Sequence, residues 1–183
     1  MKFYKVTVDS NSVQLIIPDV SESIILDYTS FNCELKQKGW ENVNWYIYNP
    51  KVKVKNFFSL GSSSAFAFDE NVYDSDLFTL LEMAGQIIPI NVEGKRLYIL
   101  NVMNCINILN KGETERFKYD NGSEGRILKY AFYENRISES TLFKIPETCK
   151  GEILTYTSRR DLLDEFKSLY EQLEFTGLVF EEI

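Results

Sequence analysis

Residues 86–103 constrain the fold more than any other stretch of the sequence. Residues 86–92 and 96–103 are two runs rich in β-branched and aromatic side chains, set on either side of Glu93-Gly94-Lys95. That is the pattern of a β-hairpin, and a hairpin makes adjacent strands antiparallel. The rest of the chain repeats the theme. Runs at residues 2–8, 13–17, 22–28, 43–48 and 64–68 lie between turn-forming residues such as Pro18-Asp19 and predict short strands. After Asn49-Pro50, Lys51, Lys53 and Lys55 alternate with Val52 and Val54, which predicts a half-buried edge strand with a basic face. Residues 116–119 and 126–133 flank a loop containing Asn121-Gly122 and predict a second hairpin. Residues 141–145 and 152–157 add two more strands, with Pro146 between them.

Only two segments carry helical spacing. Leu77, Phe78, Leu80, Leu81 and Ala84 predict a helix over residues 75–84 that stops at Gly85. Leu162, Leu163, Phe166, Leu169, Tyr170 and Leu173 form one apolar stripe over residues 159–173. Ser158 is the expected cap of this second helix, with Asp161 completing a capping box. Thr176-Gly177 ends it, and residues 178–180 form a last strand. Many short strands with two helices, and no linker, repeat or low-complexity segment, predict one α+β domain over residues 1–183 with a largely antiparallel sheet.

Composition narrows the setting. No stretch resembles a signal peptide or a membrane span, and Cys33, Cys105 and Cys149 are odd in number and far apart. The expectation is a cytoplasmic protein with reduced thiols and no membrane role. With 20 basic and 27 acidic residues the net charge is −7, which opposes binding to nucleic acid and favours a basic partner.

The sequence contains no histidine, which removes the commonest general base and the Ser-His and Cys-His nucleophile pairs. No Cys-x-x-Cys spacing organises a zinc site. Gly61-Ser62-Ser63-Ser64 lacks the lysine and helix start of a phosphate loop and reads as a turn. Cys105 stands among Val102, Met103, Ile106 and Ile108 and reads as a small buried hydrophobe. The lysine face near Trp40, Trp45, Phe57 and Phe58 reads as a solvated edge rather than a nucleic-acid bed. No cofactor and no catalysis are expected. The remaining enzymatic route is a carboxylate pair, which requires a concave pocket.

Charge is concentrated at the C-terminus. From Asp161 onward seven acids face only Lys167, so this stretch carries −6 of the −7. Glu171, Glu174, Glu181 and Glu182 are therefore the candidate residues for docking a basic protein.

The last two thirds of the chain also resemble a known family. Asn56-Phe57-Phe58, the helix around residues 77–81, Leu97-Tyr98-Ile99-Leu100-Asn101-Val102, Leu142-Phe143-Lys144-Ile145-Pro146 and Thr176-Gly177-Leu178-Val179-Phe180 follow the order seen in immunity-protein family eleven of bacterial polymorphic toxin systems. The resemblance covers roughly residues 50–183, and the matching positions are frame positions rather than catalytic ones. It implies a small cytoplasmic protein that binds and neutralises a cognate toxin by occlusion. The alternatives are an enzyme built on a carboxylate pair and a non-catalytic subunit of a larger assembly. Edge strands bearing aromatic residues also leave room for a homodimer.

Overall fold

A computed structural model describes residues 1–17, 31–37, 39–158 and 162–183. The strand expected at residues 22–28 lies outside them. Among the described residues there are twelve strands: β1 (Lys2–Val8), β2 (Leu15–Ile16), β3 (Asn44–Ile47), β4 (Phe57–Ser59), β5 (Phe66–Phe68), β6 (Gly85–Val92), β7 (Lys95–Val102), β8 (Glu115–Lys118), β9 (Glu124–Lys129), β10 (Leu142–Phe143), β11 (Ile153–Thr157) and β12 (Leu178–Glu182). Three α-helices accompany them: α1 (Glu70–Tyr73), α2 (Leu77–Ala84) and α3 (Phe166–Gln172). The fold is a single α+β domain, and its strands divide among three sheets.

The hairpin at residues 86–103 is the centre of the larger sheet, whose order is β2-β3-β6-β7-β5-β4. β6 and β7 pair antiparallel from Gly85 opposite Val102 to Val92 opposite Lys95. β3 joins β6 parallel, at Asn44 and Trp45 only. Pro89 has no N–H to donate, and it sits where β3 does not reach. A lone bridge between Gln14 and Ser59 brings the two edges of this sheet together without closing a barrel.

Strand alternation gives this sheet two buried faces. Phe57, Phe66, Phe68, Tyr98, Leu100 and Val102 face α2, α3 and the second sheet. Phe58, Ala67, Leu97 and Ile99 point the other way, onto Leu15, Trp40, Trp45, Ile88 and Ile90. The second sheet, β10-β11-β1-β12, offers Val6, Leu142, Ile153 and Leu178 to the shared core. Phe3, Phe143, Leu154 and Tyr156 on its other face pack with Ile108 and Leu109. Gly177 enters β12 at φ 114°, and a Cβ there would lie 2.7 Å from the Phe57 carbonyl oxygen, so only glycine lets β12 approach β4.

Two expectations are corrected. Lys51–Lys55 is not a strand: Val52 N–H closes a turn onto the Asn49 carbonyl, and Lys55 pairs with Asp9. The turn begun at Asn49-Pro50 simply continues through the Lys-Val alternation. The C-terminal helix is shorter than residues 159–173. A 3-10 turn covers Leu162–Asp164, Glu165 is extended at φ −110° and ψ 117°, and α3 starts only at Phe166. The expected capping partner Asp161 lies outside the described residues. Ser158 instead donates from its backbone N–H and hydroxyl to Glu165 Oε1, while Ser168 donates to Oε2. Glu165 is thereby buried at 3% exposure instead of adding to an acidic surface. The helix also begins on Thr141, whose hydroxyl accepts from Phe166 N–H at 3.1 Å. β4 and the short α1, capped by Asp69 on Val72 N–H, were not foreseen.

One charged side chain lies fully inside. Lys144 is 0% exposed, and its Nζ donates to the Phe31 and Ser64 carbonyls at 2.6 Å each. Its backbone N–H bonds Asn104, and its carbonyl accepts from Ile106. The side chain therefore ties the segment at Phe31 and the approach to β5 to the strand region around β10. Burial lowers its pKa to about 8 from an ordinary 10.5, with Lys36 and Lys150 opposing the charge and Cys33 and Cys105 favouring it. The neutral amine keeps two N–H donors, so both hydrogen bonds survive deprotonation.

Because the folded pKa lies below the unfolded one, the unfolded chain holds the extra proton between pH 8 and 10.5, and stability rises with pH across that window. The full window corresponds to on the order of 3 kcal/mol. The Cys33 thiol, raised to about 11, acts in the opposite direction above pH 9. Urea unfolding between pH 8 and 9 should show the wild-type midpoint rising and the Lys144→Met midpoint flat. Equal slopes in the two proteins contradict the assignment.

Candidate functional site

The four candidate acids occupy both sides of one sheet edge. Among the described residues β12 pairs with β1 alone, at an edge of the four-stranded sheet. Glu182 lies on the same face as Phe180, towards α3, and Lys2 pairs with it at 2.9 Å. Glu171 stands on α3 and is paired with Lys167, whose ammonium also sits over the Tyr4 and Phe180 rings at 5.0 and 5.6 Å. Glu174 is exposed in the turn after α3, at φ 55°. Glu181 points to the opposite face, directly across from Lys5. The structure thus brings Glu171 and Glu182 to one side and separates Glu181 from them.

The Glu181 side opens into a groove of about 840 Å³ between this edge and the β8–β9 ribbon. Its floor is a hydrogen-bonded trio from three distant parts of the chain. Lys5 on β1 donates to Glu152 Oε1, and the Tyr130 hydroxyl donates to Glu152 Oε2 at 2.6 Å. Burial pushes the Tyr130 phenol well above its ordinary pKa, and the bond to Glu152 adds to the shift. Tyr130 therefore stays a donor at any physiological pH. Its partner Glu152 has both oxygens occupied.

Ribbon residues form one wall. Arg116, Arg126, Leu128 and Lys129 line the groove, as do Glu147 and Glu181. Between Thr148 and Gly151, which also line the groove, the chain turns through two consecutive left-handed residues, Cys149 at φ 53° and Lys150 at φ 57°. Neither is glycine, and such residues cost of order 1 kcal/mol or more each, so surrounding structure must impose them. Cys149 N–H bonds the Pro146 carbonyl, Gly151 N–H bonds Thr148, and the Ser63 hydroxyl bonds the Gly151 carbonyl. Just inside this rim, the Glu147 side chain is 8% exposed, with Oε1 3.1 Å from Lys111 and Oε2 without a hydrogen-bond partner.

Beside the groove, the ribbon shows apolar side chains to solvent. Phe117, Tyr119 and Leu128 are 44%, 54% and 55% exposed. Phe117 and Tyr119 meet edge to face at 5.0 Å, and the Tyr119 ring lies over Gly125, where a Cβ would approach to 2.9 Å. Rigid aromatic groups on a two-stranded arm, next to charges of both signs, make a surface suited to a polypeptide.

Of the residues lining this groove, sequence reasoning reached only Glu181 and Glu182. Its residues are scattered over positions 5, 63, 116, 125–130, 147–148, 151–152 and 181–183, and no spacing announces it. The one available signal was the aromatic content of the second hairpin. Among the described residues, no cluster of three or more potential metal-binding side chains occurs, and no helix is long and apolar enough to cross a membrane. No family model matches the chain, and no curated protein matches it significantly.

The trio makes a direct prediction. Tyr130→Phe deletes a bond to a partly buried carboxylate and should lower stability by about 1–2 kcal/mol in urea unfolding. In a double-mutant cycle with Lys5→Met, the two losses should be non-additive, because both groups act on Glu152. Strict additivity contradicts a shared trio.

Proposed function

We propose that this chain is a non-catalytic binder: a cytoplasmic immunity protein that neutralises a cognate bacterial toxin by occluding it. The observation that carries this reading is a ribbon that shows exposed apolar side chains beside a groove lined by charges of both signs. Leu128 shares that groove with Arg126, Lys129 and Glu181, and Phe117 and Tyr119 stand on the same ribbon. Protein interfaces draw most of their affinity from a few such anchors, with polar groups around them. The resemblance over residues 50–183 and the histidine-free composition support the same reading.

The partner's chemistry follows from charge. An acidic stretch carrying −6, of which Glu171, Glu174, Glu181 and Glu182 remain on the surface, favours a basic toxin and speeds its approach. Lys167 and Lys2 temper two of these acids, which leaves Glu174 and Glu181 as the stronger steering groups. Anchors and charges then divide the work: anchors set the lifetime of the complex, and charges set its rate of formation.

That division is testable once the toxin encoded beside this protein is purified. Reversing Glu171, Glu174, Glu181 and Glu182 to lysine should slow association roughly tenfold or more at low salt, with the difference shrinking as salt is added. Phe117→Ala with Leu128→Ala should instead speed dissociation by about tenfold or more. Unchanged rates in both variants remove the proposed surface.

A further inference from the structure

The backbone of β12 is open along its outer side. Ile183 N–H donates to the Phe3 carbonyl at 3.1 Å, and Asp9 N–H donates to the Gly177 carbonyl at 2.9 Å. These two bonds fix the alternation along the strand. Gly177, Val179, Glu181 and Ile183 turn their backbone groups towards β1, and Leu178, Phe180 and Glu182 turn theirs outward. Leu178 N–H is taken by the Tyr170 hydroxyl at 3.0 Å. Among the described residues, nothing pairs with the backbone N–H and carbonyl of Phe180 or Glu182.

The other edges of the two larger sheets are engaged. β2 and β4 meet through the Gln14–Ser59 bridge, and Ser59 N–H donates to the Val13 carbonyl. At β10 the Leu142 carbonyl accepts from Asn104 Nδ2 and from the Ser140 hydroxyl, and Lys144 just beyond it bridges Cys105. β12 is therefore the edge with backbone groups to offer, and its charge selects what takes them. Lys5, the cross-strand neighbour of Glu181, is committed to Glu152, and among the described residues no cation pairs with Glu181. On the same face as Glu181, Val179 is 46% exposed.

We propose that a protein partner docks by adding an antiparallel strand to β12, with a lysine or arginine opposite Glu181 and β-branched residues opposite Phe180 and Val179. This rests on the reading of the chain as a binder, and it names the mode of binding and the sequence bound. The residue opposite Phe180 exchanges both backbone hydrogen bonds with it. The residues opposite Val179 and Glu181 occupy non-hydrogen-bonded positions, where side chains come closest, so a cation there meets the unpaired carboxylate. A second copy of this chain fits less well. Each copy carries −7, and antiparallel pairing about Phe180 sets Glu182 against Leu178, whose N–H is already taken. The charges that repel an acidic strand admit a basic one.

The probe is the capped peptide Thr-Lys-Val-Val-Thr, titrated into the whole isotope-labelled protein and followed by amide NMR. Its lysine falls opposite Glu181 and its first valine opposite Phe180, and the Phe180 and Glu182 amides should shift. N-methylation of the first valine removes the donor to the Phe180 carbonyl and should weaken binding by about tenfold or more. N-methylation of the lysine, whose N–H faces away from β12, should leave affinity unchanged. Glu181→Gln, on an exposed side chain, should weaken the lysine peptide but not one with threonine in its place. Equal weakening by both methyl groups, shifts confined to other residues, or no shift at about 5 mM peptide overturns the proposal. A toxin that is inhibited while the Phe180 and Glu182 amides exchange unchanged overturns this mode and leaves occlusion standing. Binding of the peptide in the stated register by a protein that inhibits no toxin supports the mode and removes occlusion.

Discussion

The buried ammonium of Lys144 is the constraint on which much of this architecture rests. A cation without solvent needs acceptors, and here two backbone carbonyls from distant segments supply them. The ammonium gains two acceptors and each carbonyl gains a donor, so the interaction serves both sides at once. Its position also explains the groove. Lys144 leads directly through Ile145 and Pro146 into the strained turn at Cys149 and Lys150, so fixing the lysine fixes the start of that rim. The backbone strain at the rim is sustained by a well-anchored strand on one side and by Ser63 on the other.

Electrostatics is arranged differently inside and outside. Glu165 and Lys144 are buried, each with multiple hydrogen bonds, and contribute to uniqueness of packing more than to long-range field. Outside, a sheet edge carries Glu181 and Glu182 on its two faces, so negative charge is shown to both sides of β12. Charged edge strands discourage indiscriminate strand pairing. The same placement allows attraction of a basic partner without an aggregation-prone edge.

Much of the fold was legible because local chemistry and tertiary structure agree. Glu93-Gly94 turns where the sequence says, with both residues at positive φ, and the flanking runs pair over their whole length. Legibility failed where a local pattern had two readings. Lys51 to Lys55 alternates as a strand does, yet the Asn49 turn and the Lys55–Asp9 pair decide its course. The apolar stripe holds at Phe166, Leu169, Tyr170 and Leu173, but Leu163 is 53% exposed, and Glu165 breaks the helix to collect two serines. Lys144 was the readable clue that was passed over: a lysine inside Leu142-Phe143-Lys144-Ile145 has apolar neighbours on both sides, which points to burial. Cys105 likewise read as a small buried hydrophobe, although it is only half-buried. The groove was illegible, because its floor depends on Lys5, Tyr130 and Glu152 meeting through three separate elements.

The central functional claim is that the protein acts by occupying a partner rather than by turning over a substrate. Titrating the purified toxin with this protein, and following residual toxin activity at each ratio, tests that claim most directly. Occlusion predicts a linear fall to zero at a fixed stoichiometry, with no further loss over time at lower ratios. Progressive inactivation of excess toxin by a small amount of this protein would contradict it and point to catalysis.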